Sequence, residues 1–244
     1  MTLSVLPVTG LPEVRRGDDI AELISEQTAL QDGDVVVVAQ KIVSKSEGRV
    51  RDLATVEVSD AAASLAARLD RDPRFIAAVL DESIRVVRDE RVLITQTRQG
   101  FVCANAGVDR SNTGRPGAVT LLPEDCDASA VSLRRRLHEL TQVSVGVVIS
   151  DTFGRPWRNG ICNVALGVAG MAALIDHRGE SDDDGRPLET TVVALADEVA
   201  AAAGLVMGKT ERVPAAVVRG LGDGVRGDGR GSDLVRPANL DLFR

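Results

Sequence analysis

The chain has 244 residues, 44% of them apolar, enough for one large domain or two small ones with a substantial core. Its net charge of −7 and 2% aromatic content argue against a general binder of nucleic acid or anionic membranes. Three isolated cysteines (Cys103, Cys126, Cys162) and two isolated histidines (His138, His177) argue against a zinc knuckle, a disulfide framework and Ser-His-Asp chemistry. No signal peptide opens the chain and no apolar run approaches the ~20 residues of a membrane span, so a reducing cytoplasm is the expected location.

Ser4 to Val8 reads as a first strand, followed by the loop Thr9 to Glu13. Asp18 is placed to cap a helix through Ile20, Leu23 and Ile24. After the turn Gln31 to Asp34, the β-branched run to Ala39 predicts a strand covered on both faces. The polar stretch Gln40 to Gly48 reads as a loop, with Lys41 and Lys45 beside Ser44 and Ser46. Helices are expected over Ser59–Leu69 and Pro73–Leu80, then short strands at Ile84–Val87, Val92–Thr97 and Phe101–Ala104.

Asn112 to Gly117 is a loop, Ala128 to Leu140 an amphipathic helix carrying a solvated His138, and Val143 to Ile149 a buried strand. The acidic turn Glu180 to Gly185 reads as a solvated loop tip. Thr190–Leu195 is expected as a strand, Ala196–Ala203 as a helix and Pro214–Val218 as a late strand. Six glycines within residues 220–231 predict a mobile loop. Strands and helices mix without strict alternation, which predicts an α+β fold with mixed sheets.

Ala203-Gly-Leu-Val-Met-Gly208-Lys209-Thr210 resembles a relaxed phosphate-binding loop. Such a loop must follow a strand and open a helix, so that its amides cradle phosphate at the helix N-terminus. Here an alanine-rich helix precedes it and its interior is apolar. Gly204 or Gly208 reads instead as a helix C-cap. Lys209 is still able to meet a phosphate in another geometry.

Two acids carry the clearest chemistry. Asp109 opens the cluster Asp109-Arg-Ser-Asn112, and Asp151 opens Asp151-Thr-Phe-Gly-Arg-Pro-Trp-Arg-Asn-Gly160. Each follows an apolar run and is expected at a strand end. Paired carboxylates suit Mg²⁺ or Mn²⁺, which bridge to substrate phosphates. Thr152 offers a further oxygen, and Asn112 a contact to phosphate or nucleotide. The bland alternative is that both acids cap turns. Lys41 and Lys45 would neutralise phosphate charge or are simply exposed. Arg155 and Arg158 either clamp an anion or stack on Trp157. Asp197 and Glu198 are weak candidates for a base, a solvated helix face being the alternative.

In order, Leu11-Pro-Glu13, Asp32 to Lys45, Ala106 to Asn112, Ser150 to Gly160 and Ala196 to Lys209 make the chain resemble the coenzyme F420-0:γ-glutamyl ligase family. The resemblance runs from about Leu6 to Arg219. It implies a two-lobed α+β subunit forming one ligase domain over residues 1–244, a homodimer, and GTP-dependent addition of L-glutamate to F420-0, with further γ-linked glutamates. It implies nucleotide contacts from Leu11, Pro12, Glu13, Val14, Gln40, Lys45 and Asn112, and from the segment containing Met207, Gly208, Lys209 and Thr210. It implies Mg²⁺ or Mn²⁺ on Asp109 and Asp151, with Thr152 serving a second ion, and K⁺ as a further candidate.

Two positions depart from the family pattern. Asn163 stands where an aspartate is expected, and an amide is no general base. Lys209 stands where a neutral amide is expected, and an ammonium cannot ligate a cation. The expected chemistry is phosphoryl transfer to the F420-0 carboxylate, with Lys45, Asp109 and Asp151 as the catalytic set, then attack by the glutamate amine. The alternatives are a metal-dependent nucleotide phosphohydrolase and a non-catalytic nucleotide-binding dimer.

Overall fold

A computed structural model of the chain describes residues 2–222 and 225–241. Strand β1 (Ser4–Pro7) is followed by α1 (Ile20–Gln27), β2 (Val35–Ala39) and α2 (Gln40–Ser46). Next come β3 (Val50–Asp52), α3 (Asp60–Leu69), α4 (Pro73–Asp81), β4 (Ser83–Glu90), β5 (Val92–Thr97), β6 (Val102–Ala104) and β7 (Ala118–Thr120). The chain continues through α5 (Cys126–Thr141), β8 (Gly146–Arg155), β9 (Arg158–Ala169), β10 (Ile175–Asp176), β11 (Val192–Val193), α6 (Leu195–Met207) and β12 (Ala215–Arg219). The fold is α+β, as its sequence pattern predicts.

A five-stranded sheet in the order β1-β12-β2-β8-β9 forms the frame. Its central pair, β2 and β8, is parallel, while the other neighbours are antiparallel. Val36, Val38, Val147, Ile149 and Val217 enter a core with α1 and α5 residues. Val35, Val37, Val148, Val168 and Val218 enter a second core with α6 residues. The valine run 35–38 therefore needs no polar alternation, because both faces are covered. Each such buried side chain contributes about 1.5–3 kcal/mol of transfer free energy.

A third core joins Ala62, Leu65, Phe75, Ile76 and Val79 of α3 and α4 to Leu93, Val108 and Val119. Around it lie the ladder β4-β5-β6 and the pair β3-β7, and Asp109 bridges to Thr120 at the end of that pair. No helix among the described residues is long and apolar enough to cross a membrane.

Several expectations are corrected. Asp19, not Asp18, caps α1, accepting from the Ala21 amide at 3.0 Å and the Glu22 amide at 3.2 Å; Asp18 accepts instead from the Arg15 amide at 2.7 Å. The stretch expected as a loop after β2 is helix α2, whose four-residue spacing sets Lys41 and Lys45 on one face. β8 does not end before Asp151 but runs on to Arg155, because β9 stays paired with it through two register shifts; the turn is made by Pro156 and Trp157, the latter at φ 56°. Leu195 begins α6 rather than ending a strand, and α6 continues through the apolar 205–207 interior to a C-cap at Gly208, φ 59°.

Residues 223 and 224 of the glycine-rich stretch lie outside the described residues. Residues 225–231 of it pack on residues 166–173, while Gly220 lies against Thr2. Val225 accepts from the Ala172 amide at 2.8 Å, and the Gly229 amide donates to Met171 at 2.9 Å. A side chain on Gly229 or Gly231 would collide with backbone there, so close approach is one physical reason for glycine at these positions.

Candidate active site beside the carboxyl end of β2

In an open α/β arrangement, ligands collect outside the carboxyl ends of parallel strands. Ala39 and Ser150 are the last parallel pair of β2 and β8, so α2 leaves the sheet beside Asp151, which stays in β8. Lys41, on the first turn of α2, donates to Asp109 Oδ2 at 2.6 Å, to Ser111 Oγ at 2.8 Å and to the Ser111 carbonyl at 2.9 Å. One turn on, Lys45 is buried and forms an ion pair with Glu13 in the loop after β1. Thus α2 ties the 11–14 loop to the 109–112 loop.

Asp109 is held by an Asx turn: its Oδ1 accepts from the Ser111 amide at 2.7 Å and its Oδ2 from Ser111 Oγ at 2.8 Å. Ser111 is a site residue the sequence does not single out; the signal is the Asp-x-Ser spacing. Burial raises the Asp109 carboxyl, but the hydrogen bonds from Lys41 and Ser111 outweigh it and hold it below its ordinary value. Asp151 shows the reverse balance. Burial pushes its carboxyl up to about 6, against the Thr152 amide hydrogen bond and the Lys41 charge, with the Asp109 anion adding to the rise and Lys209 opposing it. Cys103 lies in the same field: burial, reinforced by the Asp151 charge, pushes its thiol up to about 12, so it is no nucleophile.

Thr152 stands across β8-β9 from Asn163, whose Oδ1 accepts from Thr152 Oγ1 at 2.9 Å. Lys209 Nζ, just past the end of α6, donates to the same Thr152 oxygen. The Lys209 and Thr210 amides donate to Glu211 Oε2 at 2.7 and 2.8 Å. The apolar 205–207 segment is helical, so there is no strand-to-helix phosphate loop here, yet Lys209 still reaches the site.

The remaining candidates divide. Val14 and Met207 are core residues, and Leu11 packs against the same core as Val14. Gln40 is buried and accepts from Ser44 Oγ at 2.9 Å. Asn112 is exposed in the left-handed region, φ 52°, in the loop beside Asp109, while Pro12 is exposed beside Glu13. Arg155 donates to the Asn159 carbonyl at 3.1 Å, and Trp157 is 83% exposed at the hairpin tip. Asp197 is not on a solvated face: its Oδ1 accepts from the Ala165 amide at 2.8 Å, and burial raises its carboxyl. His138 is exposed, as its sequence context predicts.

Does the donor set suit a divalent ion? Among the described residues no three His, Cys, Asp or Glu side chains gather to hold one. Asp109 and Asp151 interact electrostatically, with the Thr152 hydroxyl next to the second. Ser150 Oγ and Thr120 Oγ1, adjoining these acids along the chain and across the bridge, are buried without a hydrogen-bond partner. Two hard carboxylates and nearby hydroxyls fit Mg²⁺ or Mn²⁺ completed by substrate oxygens.

Comparison with known proteins is consistent along the chain. A family model described as F420-0:Gamma-glutamyl ligase matches residues 10–220. A coenzyme F420:L-glutamate ligase of Methanothermobacter thermautotrophicus is 47% identical over 252 residues, covering 100% of both chains. Proteins of the same name from Methanopyrus kandleri (47% over 248 residues, covering 100% of this chain and 98% of that one) and Archaeoglobus fulgidus (45% over 245 residues, 100% and 97%) are similar over almost their whole lengths.

Proposed function

This chain belongs to the F420-0:γ-glutamyl ligase family, and from that premise we propose that it joins L-glutamate to F420-0 at the expense of GTP, and then adds further γ-linked glutamates. The observation that carries the reading is the meeting of Lys41, Asp109 and Asp151 beside the end of β2, with Lys45 one turn further along α2. Two ammonium groups on one helix face and two nearby carboxylates suit a triphosphate and its counter-ion better than they suit acyl-enzyme chemistry.

The steps balance as follows. An F420-0 carboxylate oxygen attacks the γ-phosphorus of GTP; the bond to the bridging oxygen breaks and GDP departs with its electron pair. The glutamate amine then attacks the acyl carbon, a C–N bond forms, and phosphate leaves as the amine gives up a proton. Lys45, fixed on α2, adds positive charge beside the phosphates, and Lys41 tempers the Asp109 charge against an anionic substrate. Asp109 and Asp151 would hold one Mg²⁺ or Mn²⁺ and Thr152 would serve a second; such an ion would supply positive charge to offset that developing on the phosphates. The 11–14 loop, Asn112 and the 207–210 segment border the nucleotide. Positioning and electrostatics account for the catalysis, so no histidine is needed.

Homodimerisation is part of the proposal. The β4-β5-β6 sheet leaves the apolar side chains of Ile84, Val86, Val87, Val92 and Val102 exposed, which supplies area for contact with a second copy.

Purified protein incubated with F420-0, GTP, glutamate and Mn²⁺ should give glutamylated product by mass spectrometry, and phosphate release should need both co-substrates. Phosphate release without acceptor or glutamate would instead identify a phosphohydrolase. Nucleotide-induced thermal stabilisation with no turnover would identify a binding module.

A further inference from the structure

A cavity of about 260 Å³ opens beside Asp109, outside the lysine cluster on α2. Its floor is apolar, formed in part by Leu69, Phe75, Ile76 and Leu93. Three arginines from three separate segments reach its wall: Arg71 after α3, Arg91 in the β4-β5 turn and Arg110 beside Asp109. In a chain of net charge −7, three guanidinium groups about one hollow are a local reversal of sign.

The three are not equivalent. Arg110 is held in place: it lies over the Phe75 ring at 4.5 Å and donates to Asp72 at 2.9 Å. Arg71 and Arg91 form no side-chain hydrogen bond or ion pair among the described residues, so their donors are available to a ligand. Arg91 also sits in the left-handed region, φ 61°, which an arginine rarely adopts. Asn105, φ 53°, also lines the wall.

We propose that this cavity binds a glutamyl unit, with its two carboxylates on Arg71 and Arg91; this rests on the ligase reading above. A guanidinium fork takes a carboxylate bidentately. The apolar floor accepts the two methylenes between the carboxylates. Among the described residues Asp109 is the acid that lines the cavity, so a unit held there lies next to the phosphoryl-transfer centre. Free L-glutamate and the glutamyl end of an already extended acceptor share this chemistry.

The test uses Arg71→Gln, Arg91→Gln and the double variant in the full chain, with Arg68→Gln as control; Arg68 pairs with Asp89 outside the cavity. The first addition, to F420-0, probes free glutamate alone because that acceptor has no tail. If free glutamate occupies the cavity, its KM in the first addition rises roughly tenfold per lost arginine while the KM for GTP stays put. If the tail occupies it, the first addition is unchanged and product tails shorten. Both results support a glutamyl site. Unchanged glutamate KM and unchanged tail length in a folded double variant overturn it, as does an equal change in Arg68→Gln. Wild-type turnover measured in parallel separates this failure from failure of the ligase reading, in which no protein would turn over.

Discussion

Lys41 Nζ sits 2.6 Å from Asp109 Oδ2, so the acid best placed to receive a divalent ion already carries a monovalent one. The ammonium is also bonded to Ser111, which fixes its position rather than letting it sample solvent. A divalent ion must displace or share this contact. Lys41→Met should therefore bind Mn²⁺ more tightly without nucleotide, by roughly tenfold, as read by calorimetry. Unchanged or weaker Mn²⁺ binding would show that Lys41 and the ion do not compete for Asp109. Asp109→Asn should lose at least about a hundredfold in turnover while its melting temperature moves little, because a pair this exposed contributes only ~0–1 kcal/mol.

Asp151 makes a pH-dependent prediction. Its carboxyl titrates at about 6 in the fold against an ordinary 3.8. Between those values the folded chain holds a proton that the unfolded chain has released. Its contribution to stability therefore falls as pH rises through this window and stays unfavourable above it. At 1.36 kcal/mol per pH unit the full penalty is at most ~3 kcal/mol. In urea titrations Asp151→Asn should be ~1–3 kcal/mol more stable than the parent at pH 8, with the gain gone near pH 4, and inactive as a ligase. A variant less stable than the parent at both pH values would contradict the burial argument.

Asn163 offers a gain of function. Its amide oxygen takes the Thr152 hydroxyl, to which Lys209 also donates. Asn163→Asp adds a carboxylate beside that hydroxyl and should raise Mn²⁺ affinity by roughly tenfold or attach more firmly to Lys209. Calorimetry on Asn163→Asp and on Asn163→Asp with Lys209→Gln separates the two. No change in either protein would place Asn163 outside any ion's reach.

Gly167 tests the packing. A side chain there would run into the Cys126 carbonyl at the start of α5. Gly167→Ala should cost about 1–3 kcal/mol, a fall in melting temperature of roughly 2–12 °C for a chain of this size. A shift under 1 °C would mean that α5 yields easily.

Much of the frame was legible because its signals are local. The run Val35–Val38 has no polar interruption, and it is buried on both faces. Asp109 and Asp151 were visible as acids next to apolar runs. What local pattern could not carry was pairing. β9 contains Asn159, Gly160 and Asn163, poor strand formers that pair only because β8 lies opposite. Likewise Gln40 to Ser46 looks like a polar loop, and becomes a helix because Ile42 and Val43 find a core that other segments build. Arg71 and Arg91 gave no signal, since only the tertiary fold brings the end of α3 and a distant hairpin turn to Asp109.

The β8-β9 hairpin carries Asp151 on the strand that leads to its tip, and Trp157 on the tip itself, 83% exposed. The chain has one tryptophan and no tyrosine. Ultraviolet emission excited at the indole band thus comes from a single known point, a few residues along one strand from the reaction centre. The unlabelled protein is its own optical gauge: any ligand, ion or second subunit that touches this arm announces itself as a change in colour or polarisation of that one indole.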